Sequence, residues 1–186
     1  MNAPANVPAP ANAATADNTP QTPLPSPIPF RIGEGWDTHQ LVAGRELWLG
    51  GVLVVHDKGL LGHSDADVLL HAITDALLGA AGLGDIGTLF PDTDPAYKGA
   101  DSRLLLTQAM QRVSSAGWQV GNIDCTIIAQ RPRLASYKPA MAASIAACLS
   151  ITPSQINVKA KTAERLGPVG EERSMEARAV VLLVRG

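Results

Sequence analysis

Basic residues are missing from the first 29 positions, which nevertheless hold eight of the chain's fourteen prolines. A secretory signal needs a basic start before an apolar run, and a mitochondrial presequence needs arginines, so neither is expected here. The segment is otherwise mostly Ala, Asn and Thr, too poor in apolar side chains to build a core, and residues 1–29 read as a disordered tail. Cysteine is scarce too: Cys125 and Cys148 lack CxxC spacing and read as two reduced core thiols in a cytoplasmic protein. No apolar run reaches membrane-spanning length, so no membrane partner is expected. Charge of either sign is not in excess. A formal net charge of −2 gives no long-range pull on nucleic acid, so an anionic ligand has to be held by local features such as metals or helix ends.

What remains is enough for one cored domain, residues 30–186, in a chain of 186 residues that is 46% hydrophobic. Short β-like runs alternate with helical ones, which predicts an α+β fold: a mixed β-sheet layered with helices. Strands are expected over Phe30 to His39, Trp118 to Ala129, Ile156 to Thr162 and Ala177 to Val184, with a hairpin from Glu46 to Val55 turning at Gly50-Gly51. Helices are expected from a Ser64 cap through Ala81, from Asp101 or Ser102 through Ser115, and from Ser136 to Leu149. Three helices cover one face of such a sheet. The last strand is apolar on both faces after its first two residues, so the other face should meet a second copy of the chain.

The chemistry concentrates in a few places. Asp37 and His39 are two apart in a strand and share a face, so they converge on one point if a third ligand arrives from elsewhere. His71, on the polar stripe of an otherwise apolar helix, is that candidate, and two imidazoles with one carboxylate suit Zn2+ with its fourth position open. Asp67 and Asp75 flank His71 at spacings of four, so either could orient its ring, although a solvated helix face is the better reading for Asp67. His63 and Ser64 stand where a helix N-terminus favours phosphate. The stretch from Gly84-Asp85-Ile86-Gly87 to Phe90-Pro91-Asp92-Thr93-Asp94-Pro95 has acids without a regular period and suggests hydroxyl recognition. Late in the chain, Thr162 offers a hydroxyl to a phosphoryl oxygen, and Glu164 an oxygen to a hard cation such as Mg2+.

Taken together, Arg31-Ile32-Gly33 through Asp37-x-His39, Gly62-His63-Ser64-Asp65, His71, Gly84 to Gly87, Phe90 to Asp94, Gly99-Ala100-Asp101-Ser102, Asn122-Ile123-Asp124, Ala129-Gln130 and Asn157-Val158-Lys159 resemble the 2-C-methyl-D-erythritol 2,4-cyclodiphosphate synthase family. The resemblance runs from Phe30 onward in the family's order and spacing. It implies a two-layer sandwich with three helices on one face, assembled as a homotrimer around the other face, with active sites between subunits. It further implies Zn2+ on Asp37, His39 and His71, and Mg2+ or Mn2+ on Glu164 bridging substrate phosphates. By the same resemblance His63 and Thr162 stabilise the transition state, and His63 and Ser64 touch the methylerythritol phosphate. Asp85 and Gly87 would lie at the ribose, with Ile86 also binding substrate, and Phe90, Pro91, Asp92, Thr93 and Asp94 would line the methylerythritol site. The adjoining subunit would hold cytidine with Ala129, Gln130, Arg131, Pro132, Arg133, Leu134 and Ala135, together with Lys161 and Ala163. The implied small-molecule substrate is a cytidine diphosphate ester, cyclised with release of CMP. Two departures stand out: Arg133 replaces the family's usual Lys, and Pro168 to Met175 is about two residues short, with Glu171 where Arg is common. Competing readings from the residues alone are a zinc-dependent phosphoester hydrolase and a non-catalytic module that stores metal or senses an isoprenoid diphosphate.

Overall fold

The computed structural model describes residues 28–186, so the expected tail lies, but for its last two residues, outside the described residues. Strand β1 (Phe30–Ala43) runs four residues past the expected strand and pairs antiparallel with both β4 (Lys58–Leu61) and β7 (Ser174–Arg185). β7 pairs antiparallel with β5 (Trp118–Ile128), and β5 pairs in parallel with β6 (Ile156–Lys161). The sheet order is therefore β4-β1-β7-β5-β6, mixed as expected, although β4 was not among the expected strands. The hairpin formed by β2 (Leu47–Leu49) and β3 (Val52–Val54) turns at Gly50-Gly51, both at positive φ, as expected.

Among the described residues three long helices, α1 (Val68–Ala81), α3 (Ser102–Ser115) and α4 (Lys138–Leu149), accompany two short ones, α2 (Ile86–Leu89) and α5 (Gly167–Gly170). No helix among the described residues is long and apolar enough to cross a membrane. α1 packs on β1 and β7, where the alternate residues Met175, Ala177, Ala179, Val181 and Leu183 are buried. The opposite face of the sheet leaves Ile32 66% and Trp36 47% exposed, with Val180 between them in the adjacent strand.

The approach of α1 to β1 is set by two glycines. A Cβ on Gly33 would lie 2.0 Å from the Ala76 carbonyl oxygen, and one on Gly35 would lie 2.0 Å from that of Ala72. The Gly-x-Gly of β1 thus removes side chains where the helix backbone rests against the strand.

The start of α1 corrects two expectations. Its N-cap is Asp67, not Ser64, and the Asp67 side chain is fully buried rather than part of a solvated face. One carboxylate oxygen accepts from Leu69 N, Leu70 N and Gly50 N at 2.9–3.1 Å, and the other from Gly51 N at 2.7 Å. Burial pushes the Asp67 pKa up, and the amides of Gly51, Leu70 and Gly50 counter it only in part. A residue before the first turn does not follow the helix period, so the i, i+4 stripe never included it. α4 begins two residues after the expected Ser136, at Lys138, with Tyr137 as its N-cap and Pro139 in the first turn.

Candidate active site

Asp37 and His39 project from β1 toward α1, and His71 on α1 meets them, as the strand period predicted. Asp37 Oδ2 lies 3.0 Å from both His39 Nε2 and His71 Nδ1, and those two nitrogens are 3.2 Å apart. The other Asp37 oxygen accepts from Thr38 N at 2.8 Å, which turns Oδ2 inward. His39 Nδ1 is 2.9 Å from the Leu61 carbonyl oxygen of β4. A carbonyl only accepts, so Nδ1 carries the proton and Nε2 presents a lone pair to the cluster.

This donor set fits a divalent ion. Bonds of about 2.0–2.1 Å in a tetrahedron place neighbouring ligand atoms about 3.3 Å apart, close to the three separations here, and a fourth corner stays open. Burial works against ionisation of Asp37, yet the His39 and His71 imidazoles beside it hold its carboxyl well below the usual carboxylate range. For His39, burial favours the neutral ring, but the Asp37 carboxylate beside it raises its pKa overall.

The groups behind His71 are not those expected. Neither Asp67 nor Asp75 reaches its ring: Asp67 caps α1, and Asp75 accepts from Ile86 N at 2.7 Å, tying α2 to α1. Burial pushes the Asp75 pKa up. Instead His71 Nε2 faces Ser102 Oγ at 2.9 Å and Ser64 Oγ at 3.2 Å. Ser102 in turn donates its hydroxyl to Asp65 at 2.5 Å and its amide to the other Asp65 oxygen at 3.0 Å.

The three ligands line a cavity of about 530 Å3. His63, Ser64, Ile86, Gly87, Phe90, Pro91 and Asp92, all among the residues to which the resemblance points, line it as well. His63 and Ser64 belong to the turn before α1, however, and the amides of that helix's first turn go to Asp67 rather than to an incoming anion. Asp85, Thr93 and Asp94 are not in the wall. Asp85 caps α2 by accepting from Thr88 N at 2.7 Å, and the Asp94 side chain caps a short turn at Pro95–Tyr97 while its carbonyl faces His63. Tyr97, stacked edge-on against Phe90, and Leu105 also line the cavity. Sequence reasoning missed both, and no local pattern marked them.

The remaining expected residues lie elsewhere in the chain. Ala129, Gln130, Pro132, Arg133, Leu134, Ala135, Lys161 and Thr162 line a second cavity of about 240 Å3, and Arg131 faces an adjoining one with His56, Asp57 and Glu172. Glu164 and Ala163 line none of these three cavities. Glu164 accepts from Thr162 Oγ1 at 2.6 Å and has a positive φ of 51°. One chain therefore separates the Asp-His-His cluster from the Thr162–Glu164 end of the expected site.

Comparison with known proteins accords with this geometry. The chain is 65% identical over 158 residues to a bifunctional enzyme IspD/IspF of Albidiferax ferrireducens, covering 85% of this chain and 38% of that protein. The chain thus spans well under half of that longer relative. It is 64% identical over 156 residues to a 2-C-methyl-D-erythritol 2,4-cyclodiphosphate synthase of Verminephrobacter eiseniae, covering 83% and 85% of the two. A Plasmodium falciparum IspF structure, described as a CDP complex, superposes with a TM-score of 0.74 at 37% identity over 84% of this chain and 96% of that one. The match to the YgbB family model extends over residues 30–184, nearly the whole described part, and the chain belongs to the YgbB family.

Proposed function

We propose that this chain converts 4-diphosphocytidyl-2-C-methyl-D-erythritol 2-phosphate to 2-C-methyl-D-erythritol 2,4-cyclodiphosphate and CMP, a lyase-type step of non-mevalonate isoprenoid precursor biosynthesis. The observation that carries the reading is the convergence of Asp37, His39 and His71 on one wall of a cavity that also presents His63, Ser64 and Asp92. It is supported by the synthase name borne by relatives more than 60% identical over most of the chain.

The 2-phosphate attacks the β phosphorus of the same molecule, a new P–O bond forms, and the bond from that phosphorus to the CMP oxygen breaks. No water is consumed. The nucleophile is already an anion, so the protein's work is positioning and charge neutralisation rather than proton removal. Zinc held by the triad would supply a Lewis acid for the diphosphate oxygens. His63 and Ser64 would hold the attacking phosphate and Asp92 would accept from a substrate hydroxyl, all three lining the same cavity as the triad. The apolar side chains of Ile86, Phe90 and Leu105 would limit water beside the reacting atoms, which matters because water reaching the diphosphate would hydrolyse it instead.

Residues Ala129 to Ala135, Lys161 and Ala163 would hold cytidine, with Thr162 toward the transferring phosphoryl group, and Glu164 would hold Mg2+ or Mn2+, which would offset phosphate charge. Because most of this set lines a cavity apart from that of the zinc triad, a complete site would need a second copy, which a homotrimer closing over the exposed Ile32, Trp36 and Val180 would provide. The CDP complex of the Plasmodium relative supports a cytidine nucleotide as part of the ligand. A cytoplasmic location agrees with such a substrate.

Phosphorus NMR of the reaction with the cytidyl substrate should show CMP and the cyclic diphosphate in equal amounts, with no label taken up from 18O water. Inorganic phosphate or incorporated label would instead favour the hydrolase reading, and no CMP at all would leave a binding module.

A further inference from the structure

We infer that Asp65 and Ser102 are positioning residues for His71, holding its ring with Nε2 protonated and Nδ1 bare toward Asp37 and His39. The inference rests on the proposed reading of the triad as a metal centre, and it follows from counting hydrogens.

Asp65 lies in the turn before α1 and accepts three hydrogen bonds: from Asp67 N at 3.1 Å, Ser102 N at 3.0 Å and Ser102 Oγ at 2.5 Å. A carboxylate can only accept, so the single hydroxyl hydrogen of Ser102 is spent on Asp65. Ser102 Oγ then has only lone pairs to offer His71 Nε2, 2.9 Å away, and that nitrogen must be the donor. In a neutral ring this leaves Nδ1 unprotonated, 3.0 Å from Asp37 Oδ2 and 3.2 Å from His39 Nε2. Ser64 Oγ, more distant at 3.2 Å and already accepting from Ala66 N, is left free to serve the cavity it lines.

The two ligand histidines are thereby fixed in opposite tautomers, each by an acceptor on its outer side: Leu61 O behind His39, Ser102 Oγ behind His71. The second device also joins two helices. Ser102 is the first residue of α3, is almost wholly buried, and reaches His71 on α1 across the sequence. Asp65 is itself anchored, its amide donating to Ala100 O at 3.1 Å just before α3 begins. Outer partners of metal-bound histidines typically affect metal affinity by 10–100-fold.

The test uses the full chain in metal-free and zinc-loaded form. Ser102→Ala and Asp65→Asn should each weaken zinc binding by 10–100-fold in competition with a chelator, the second because its amide can donate to Ser102 Oγ and reverse the hydroxyl. Ser102→Thr, which keeps the hydroxyl, should restore affinity to within a few-fold of wild type. Long-range 1H-15N NMR of the metal-free wild type should show His71 protonated at Nε2, with the pattern becoming mixed or averaged in Ser102→Ala. A hydrogen on His71 Nδ1 in the wild type, or unaltered zinc affinity in folded Ser102→Ala, overturns the inference. A wild type that binds no zinc would refute the metal centre itself, and the NMR spectrum would still decide the tautomer.

Discussion

Gly35→Ala should damage the metal centre without touching a ligand. The new methyl carbon would sit 2.0 Å from Ala72 O, 2.7 Å from Ala76 N and 3.0 Å from Asp75 Cβ. The two closest atoms are helix backbone and cannot swing aside, so α1 has to retreat by about 1 Å before the contact becomes tolerable, at a cost of about 1–3 kcal/mol in stability. His71 immediately precedes Ala72 and moves with it. Its separations of 3.0 Å from Asp37 Oδ2 and 3.2 Å from His39 Nε2 would then widen. At about 4 Å such edges no longer suit metal bonds of about 2.0–2.1 Å. Zinc affinity should fall at least about tenfold, the equivalent of about 1.4 kcal/mol. Urea melts and chelator competition on the same preparation would read both effects. Gly79→Ala is the control, because open space surrounds that position on α1, and it should gain about 0.5–1 kcal/mol. Full zinc affinity and an unshifted melt for Gly35→Ala would refute the claim that strand-helix approach sets the ligand spacing.

Asp67→Ala removes the cap of α1 and strands amides of Gly50, Gly51, Leu69 and Leu70; a loss of about 3–5 kcal/mol is expected in urea melts, and a loss below about 1 kcal/mol would contradict the cap assignment. Burial pushes the Cys125 thiol up to about 12, whereas in the unfolded chain it ionises near its ordinary 9.0. Its contribution to stability is therefore complete below pH 9 and is lost toward pH 12, at up to about 1.4 kcal/mol per pH unit. The gap in urea midpoint between wild type and Cys125→Ala should change across pH 8–10.5, and a constant gap would count against it. His71→Ala should lose zinc and turnover while the assembly persists by sedimentation; retained zinc would mean the ligand is misassigned. Refolding His71→Ala together with Lys161→Ala in equal amounts should recover about a quarter of wild-type activity if sites form between copies, whereas no recovery would place the whole site in one chain.

Much of this was legible in the sequence where a local period carried the information. Alternation in β1 put Asp37 and His39 on one face, and the helical period put His71 on the stripe that turned out to meet them. The same period misled at Asp67, which precedes the first helical turn and so points into the protein to cap it. Ser102 and Asp65 were unreadable as a pair because their meeting with His71 depends on how α3 docks beside α1, not on spacing along either. Tyr97 and Leu105 enter the cavity for the same reason. For Ala129 to Ala135 and Lys161, the family resemblance supplied a role, but only the folded chain places them in a cavity apart from the triad.

The wide sequence separation within the triad has a consequence for biogenesis. Asp37 and His39 leave the ribosome as a two-ligand fragment, 32 residues ahead of the histidine that completes them, and the Leu61 carbonyl that primes His39 arrives only with β4. A nascent or truncated chain is thus a poor metal scavenger, and loading waits until α1 has settled on the sheet. Once bound, the ion rivets that helix in place, so a chelator should loosen α1 in hydrogen exchange while β5 and β6 stay protected.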